Sequence, residues 1–267
     1  MIVEILGYLA SILMGLTLGL LGAGGAILTV PILVYFFHVD PKIATVNSLF
    51  IVGMTAFFGA ANAKFKNKLD IKVAFLFAVP GFVGVSFTKY IFLPSLPDHI
   101  FSINNLEVTK SILIMLVFSI LMLYSSLAMV LGKKAEIQSL KKDISFYLKL
   151  VLQGFFVGFV TGFIGAGGGF LIIPALVGLV GLPMSIAVGT SLAIITLNSG
   201  IAFLAALHKG FIPDWNLLIS LLMISLVGFF IGSYFSQKTS EKILKKIFGI
   251  FLFVVALFIL FDQIKNL

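Results

Sequence analysis

The stretch Gly19-Leu20-Leu21-Gly22-Ala23-Gly24-Gly25-Ala26-Ile27-Leu28-Thr29-Val30-Pro31 returns 143 residues later as Gly162-Phe163-Ile164-Gly165-Ala166-Gly167-Gly168-Gly169-Phe170-Leu171-Ile172-Ile173-Pro174, with seven of thirteen positions identical. The same offset continues without a gap and lays Ala44, Ser48 and Leu49 on Ala187, Ser191 and Leu192. A self-match at one fixed offset is an internal duplication. Beyond residue 66 a shift of one position pairs Asp70 with Asp214 and Gly84 with Gly228. The unit is about half of the chain: residues 1–131 form one membrane repeat, 132–145 a lysine-rich linker, and 146–267 the second repeat.

What surrounds these motifs is apolar. Of 267 residues, 60% are hydrophobic and 10% charged, with a mean hydropathy of +1.20. A soluble domain carries roughly a quarter charged residues, so this is an integral membrane protein of the all-α polytopic class. Apolar runs cover 2–21, 27–37, 43–63, 72–93, 109–131, 146–165, 170–181, 186–206, 216–236 and 244–261. Eight are long enough to span. The runs 27–37 and 170–181 would make helices of about 17 Å, short of the roughly 30 Å hydrocarbon core, and read as half-helices that follow the glycine-rich motifs.

The lysines set the orientation. All eighteen cationic residues are lysine, and the segments 64–72, 132–149 and 238–246 hold most of them, whereas 94–108 holds Asp98 and Glu107 and no lysine. Lysine-rich loops face the cytoplasm. If both short segments count as crossings, every such loop falls inside and both termini outside. Each half then makes five passes, and an odd number inverts the second half. If the short segments dip in and return, 238–246 falls outside against the rule. The expectation is two inverted-topology repeats of about five helical segments, each with its glycine-rich stretch as the unwound part of a broken pass.

Composition also removes functions. The chain has no cysteine and only three scattered histidines, so disulfide, iron–sulfur and zinc chemistry fall away and no cofactor or metal is implied. The net charge of +8 reads as topology rather than as nucleic-acid binding. Without arginine, an anion site must use lysine, hydroxyls, amides or backbone N–H groups. All ten acidic residues fall in loops or at run ends, so no mid-membrane carboxylate offers obligatory cation coupling or aspartyl-type catalysis. His38 and His208 lie at run ends, and Lys89 snorkels to the outer interface or draws anions to a vestibule.

Two readings fit the glycines. They let helices approach closely, or their density breaks the helix, since each glycine costs about 1 kcal/mol in a helix interior. A break followed by an apolar half-helix presents backbone N–H groups and a positive dipole end to an anion. Gly22, Gly24 and Gly25 in one half, and Gly165, Gly167, Gly168 and Gly169 in the other, are the candidates. Polar residues add a second set. Ser48, Thr55 and Asn62 share a helical face at seven-residue spacing with Asn47 beside it, and Ser191 and Asn198 occupy the duplicated positions of Ser48 and Thr55, with Thr190 adjacent. In repeat-built transporters the substrate lies where the halves meet, so Asn47, Ser48, Thr190, Ser191 and Asn198 are candidate substrate ligands. Thr17, Gln153 and Thr161 read as packing.

The paired glycine motifs, followed by Ala187-Val188-Gly189-Thr190-Ser191-Leu192, resemble the sulfite exporter TauE/SafE family of permeases over essentially the whole chain. The first half departs from the pattern, with Val46-Asn47-Ser48 where the second has Gly189-Thr190-Ser191, and Ala26 in place of a third consecutive glycine. The resemblance implies a cytoplasmic-membrane permease moving sulfur-containing or organic anions such as sulfite or sulfoacetate, generally outward, and not an enzyme. Its expected partners are a small anionic substrate and the lipid bilayer, without nucleic acid; a homo-oligomer is compatible with the chain. Two other readings stay open here: a permease for a neutral or zwitterionic metabolite, and a non-transporting membrane scaffold.

Overall fold

A computed structural model describes residues 2–97, 99–103, 106–131, 144–163 and 169–265. The chain folds as α1 (Ile2–Leu21), α2 (Gly25–Phe37), α3 (Pro41–Phe65) and α4 (Ile71–Phe87), which runs through a π-helical turn, Thr88–Phe92, into α5 (Leu93–Ser95). A hairpin of β1 (His99–Ile103) and β2 (Leu106–Thr109) leads to α6 (Lys110–Leu131). The second half holds α7 (Ile144–Gly162), α8 (Gly169–Pro174) extended by a π-helical turn Ala175–Leu179, α9 (Met184–His208), α10 (Trp215–Lys238) and α11 (Glu241–Lys265). Among the described residues, seven helices are long and apolar enough to cross a membrane. The hairpin is an addition to the helical plan: two short antiparallel strands in the acidic loop, with Ile103 opposite Leu106.

Helix starts follow from local chemistry. Asp40 Oδ1 accepts from the N–H groups of Lys42 and Ile43, with Pro41 at the first helical position of α3. Asp70 and Asp214, matched by the duplication, take the same role: Asp70 Oδ1 accepts from Val73 N–H at the start of α4, and Asp214 Oδ1 from Asn216 and Leu217 N–H at the start of α10. Each satisfies donors that a helix start leaves open. Along α1, α4 and α7, apolar side chains such as Leu9 and Leu13, Val79 and Val83, and Leu152 and Phe156 are exposed. Stripes like these are solvated by lipid rather than water.

The two halves interlock reciprocally. A Cβ at Gly15 of α1 would fall 1.9 Å from Ser225 O of α10; at Gly158 of α7, 143 residues on, it would fall 2.0 Å from Gly81 O of α4. Likewise a Cβ at Gly228 would meet Ile12 O at 2.1 Å, and one at the matched Gly84 would meet Phe155 O at 2.3 Å. Each half thus lends its first helix to the fourth helix of the other, through contacts that only glycine permits. Between these pairs the duplicated helices α3 and α9 cross antiparallel, with Gly53 against Ser199, Gly59 against Leu192 and Gly189 against Ala63. The pairing α6 with α11 is fixed by Ser126 Oγ donating to Gly249 O at 2.7 Å.

The short helix α2 runs back along α1. Gly25 packs on Met14 O, while Phe37 reaches Gly7 and stacks edge-on against Tyr8. The chain therefore returns to the end of the bundle where α1 began, and α3 starts from there. The α3–α4 and α10–α11 turns lie together at the opposite end, where Lys66 Nζ donates to Gln237 Oε1 at 2.9 Å.

Candidate functional site

A cavity of about 520 Å³ opens between α3, α4, α7, α8 and α9. Its buried end is made by Phe77, Gly169, Ile172, Ile195 and Ser199, with half-buried Asn198 beside them, and its exposed mouth by Lys89, Tyr90 and Lys209. Gly81 and Gly158, whose close approach joins α4 to α7, form one wall, with Ser86 and Thr161 nearby.

The mouth owes its chemistry to a local irregularity. Thr88 Oγ1 donates to Gly84 O at 3.0 Å and to Phe159 O at 2.8 Å, which anchors the π-helical turn carrying Lys89 and Tyr90. Such turns re-aim side chains and recur at functional sites. Lys209 Nζ donates to Tyr90 OH at 3.0 Å and lies 4.9 Å from the ring centroid. Lys89 and Lys209 line the cavity, and among the described residues no carboxylate does. At the buried end Asn198 Oδ1 is buried with no hydrogen-bond partner in the structure. That oxygen is an acceptor and offers nothing to an anion; the donor end of the same amide, Asn198 Nδ2, lies on the side of the cavity residue Gly81, 3.9 Å from where a Cβ there would fall.

The residues singled out in the sequence divide into groups. Gly169 and Asn198 line the cavity. Gly22 breaks the chain after α1, as expected, with φ +78°, and its carbonyl accepts from Ser191 Oγ at 3.1 Å. Gly24 precedes α2, which starts at Gly25 with no side-chain cap. The first break meets the second half: a Cβ on Gly169 would lie 3.9 Å from Ala23 Cβ. Gly165, Gly167 and Gly168 lie outside the described residues. Thr190 and Ser191 have structural partners: Thr190 Oγ1 accepts from Asp70 N–H at 3.1 Å, and Ser191 Oγ also donates to Val188 O at 2.8 Å. Ser48 Oγ donates to Thr45 O at 2.7 Å, and Asn47 is buried with Oδ1 unpartnered. Thr161, read as packing, lines the cavity, and Gln153 Oε1 is buried without a partner.

The duplication is broken at the cavity itself. Thr55, the counterpart of Asn198, shares a 2.9 Å hydrogen bond with Ser225, and both side chains are fully buried. Gly81, the counterpart of Ser225 under the shifted offset, faces Asn198 across the open space. The same junction is closed in one half and open in the other. Sequence reasoning missed Lys209 and Tyr90, although the offset of 143 lays Lys66 on Lys209; that match was the available signal.

Residues 7–259 match the sulfite exporter TauE/SafE family. The chain belongs to that family. Similar proteins include a "Probable membrane transporter protein" of Xylella fastidiosa (strain 9a5c), 29% identical over 96% of this chain and 94% of the relative. Another is the "Probable membrane transporter protein YdhB" of Bacillus subtilis, 25% identical over 89% of this chain and 92% of the relative. The "Probable membrane transporter protein MJ0441" of Methanocaldococcus jannaschii is 39% identical over 41% of this chain and 43% of the relative. No solved structure matches significantly. The protein is a multi-pass integral membrane transporter of the TauE/SafE family, and the cavity between its halves is the candidate site.

Proposed function

We propose that the transporter carries small sulfur-containing or organic anions, of the sulfite and sulfonate class, through the cavity between its two halves. The observation that carries this reading is the cavity's polar chemistry: two lysines and no carboxylate among the described lining residues, with the amide Nδ2 of Asn198 on the side of Gly81 as a further donor. Lysine charges of one sign at a mouth bounded by low-dielectric walls concentrate anions there. The volume of about 520 Å³ accepts a sulfonate with part of its hydration shell and falls in the usual range for ligand pockets. An exported monoanion gains about 2.3 kcal/mol per 100 mV of inside-negative potential, so outward transport requires no membrane-embedded carboxylate.

In this reading the halves are inverted repeats, and the lysine-rich turns at Lys66 and Lys68 lie on the cytoplasmic side. The cavity described above then opens outward. The antiparallel crossing of α3 and α9 and the reciprocal glycine contacts support it. Gly22, Gly24, Gly25 and Gly169 act where the first break meets α8, Asn47 acts from α3, and Thr190 and Ser191 fasten the structure around them.

Sulfite and sulfoacetate efflux from proteoliposomes under an imposed inside-negative potential tests the function. The native chain is expected to show potential-driven flux and Asn198→Leu a flux at least tenfold lower with normal folding. Flux indifferent to potential, or no flux of either anion, refutes the substrate class. Single cysteines across 207–214, on a background free of native thiols, should label from outside; labelling from the cytoplasmic side refutes the orientation.

A further inference from the structure

We propose that a second cavity, at the lysine-rich end of the bundle, is a second binding station for a small oxoanion, anchored by Lys66 as the counterpart of Lys209. This inference rests on the anion reading above. The cavity measures about 330 Å³ and is bordered by α3, α9, α10 and the start of α11.

Its identity as a counterpart follows from the duplication. Residues 143 or 144 apart line the two spaces: Lys66 and Lys209, Asn62 and Ala205, Leu192 and Leu49, Phe229 and Val85. The lysines match in conformation as well as position. Lys66 caps the C-terminus of α3 at φ −95°, ψ 9°, and Lys209 that of α9 at φ −82°, ψ 9°. A C-terminal lysine ordinarily serves its own helix's last carbonyls. Both of these ammonium groups instead reach across to the other half, Lys66 to Gln237 Oε1 and Lys209 to Tyr90 OH.

Neither acceptor is a carboxylate, so these bonds orient the lysines without neutralising them. An ammonium group has three donors, and Gln237 takes one of Lys66's. Around it stand a second lysine, Lys68, the amide of Asn62, which donates to Ser233 Oγ at 3.3 Å, and the hydroxyl of Ser236. These are the donors an oxoanion needs in a chain without arginine. The opposing charge among the described lining residues, Glu241, is held at the start of α9, where its Oε1 accepts from Ser185 Oγ at 3.1 Å and from Ser185 N–H at 3.5 Å. It keeps its charge, so the two lysines outnumber one carboxylate and the lining stays net positive. The inner station is the more polar of the two, because Asn62 stands where the outer has Ala205.

Thiol protection tests the proposal on a chain with no native cysteine. Ser236→Cys reports the inner cavity and Ala202→Cys the outer, each alkylated with iodoacetamide in detergent while sulfoacetate is titrated. Sulfoacetate is expected to protect both. Lys66→Gln should raise the half-protecting concentration at least tenfold at Ser236→Cys and less than twofold at Ala202→Cys, and Lys66→Arg should restore it; Lys209→Gln should do the converse. Protection confined to Ala202→Cys, or protection at Ser236→Cys indifferent to Lys66→Gln, overturns the second station and leaves the anion reading intact. Protection at neither position overturns both. Equal labelling rates without sulfoacetate in native and variant backgrounds show that a lost protection is not a lost fold.

Discussion

Replacing Gly158 by alanine should destabilise the transporter, while replacing Gly200 by alanine should stabilise it, although both are glycines inside apolar helices. At Gly158 the new methyl would sit 2.0 Å from Gly81 O and 2.6 Å from Gly81 Cα. Real Cβ contacts begin near 3.0 Å, so α4 and α7 must separate by about 1 Å (3.0 − 2.0). The obstructing atoms are backbone and cannot rotate away, which puts the cost at the upper end of overpacking, about 3 kcal/mol. Alanine's advantage in a helix returns up to about 1 kcal/mol, leaving a net loss of about 2 kcal/mol. At Gly200 nothing lies within 4 Å of the added methyl, so only the gain of up to about 1 kcal/mol remains. Thermal unfolding in detergent, followed by loss of helical circular dichroism, should rank Gly200→Ala above native and native above Gly158→Ala. Because the halves interlock reciprocally, Gly15→Ala, 1.9 Å from Ser225 O, should fall by as much as Gly158→Ala. An unchanged midpoint for Gly158→Ala, or a drop for Gly200→Ala comparable to it, would refute the close-packing argument.

Two further substitutions separate fastening from transport. Thr190→Val removes the acceptor of the half-buried Asp70 N–H, a bond of a kind worth about 1 kcal/mol; unfolding should shift while the anion's KM stays within twofold, and a KM rise with unchanged stability would restore Thr190 as a ligand. Thr55→Val breaks the buried Thr55–Ser225 bond, of a kind worth about 0.6 kcal/mol on average in membranes. If that bond holds the inner path shut, iodoacetamide should alkylate Ser236→Cys faster in the Thr55→Val background; an unchanged rate removes Thr55 from the barrier.

The membrane fold was legible because its signals are local or strictly periodic. Apolar length gives spans, and the runs drawn at 43–63 and 186–206 became α3 and α9, each extended by two residues at either end. The extensions reflect Asp40 and Pro183 acting as caps outside the apolar run. The break after Leu21 was legible because glycine alone is at ease at the positive φ of Gly22. The π-helical turn at Thr88–Phe92 was not, because its anchor is a bond to a distant partner, Thr88 Oγ1 to Phe159 O; the hairpin is a local pairing inside a segment whose composition was read only for its charge.

The candidate site was only partly legible, and the reason is specific. Periodicity places Thr190, Ser191 and Asn198 on helix faces but does not say what stands opposite. Thr190 meets the Asp70 N–H, Ser191 meets Gly22 O, and Asn198 meets open space. Lys66 and Lys209 sat among loop lysines whose charge the topology already explained.

By itself the sequence determined that this chain lives in a bilayer, that one pattern occurs in it twice, and that its first helix breaks at Gly22. These properties belong to single segments, or to the comparison of a segment with itself. The tertiary structure alone decided which polar groups are spent on holding the helices together and which face a cavity. Two copies with nearly the same pattern fold around different neighbours, so that the junction closed by Thr55 and Ser225 in one is open between Asn198 and Gly81 in the other.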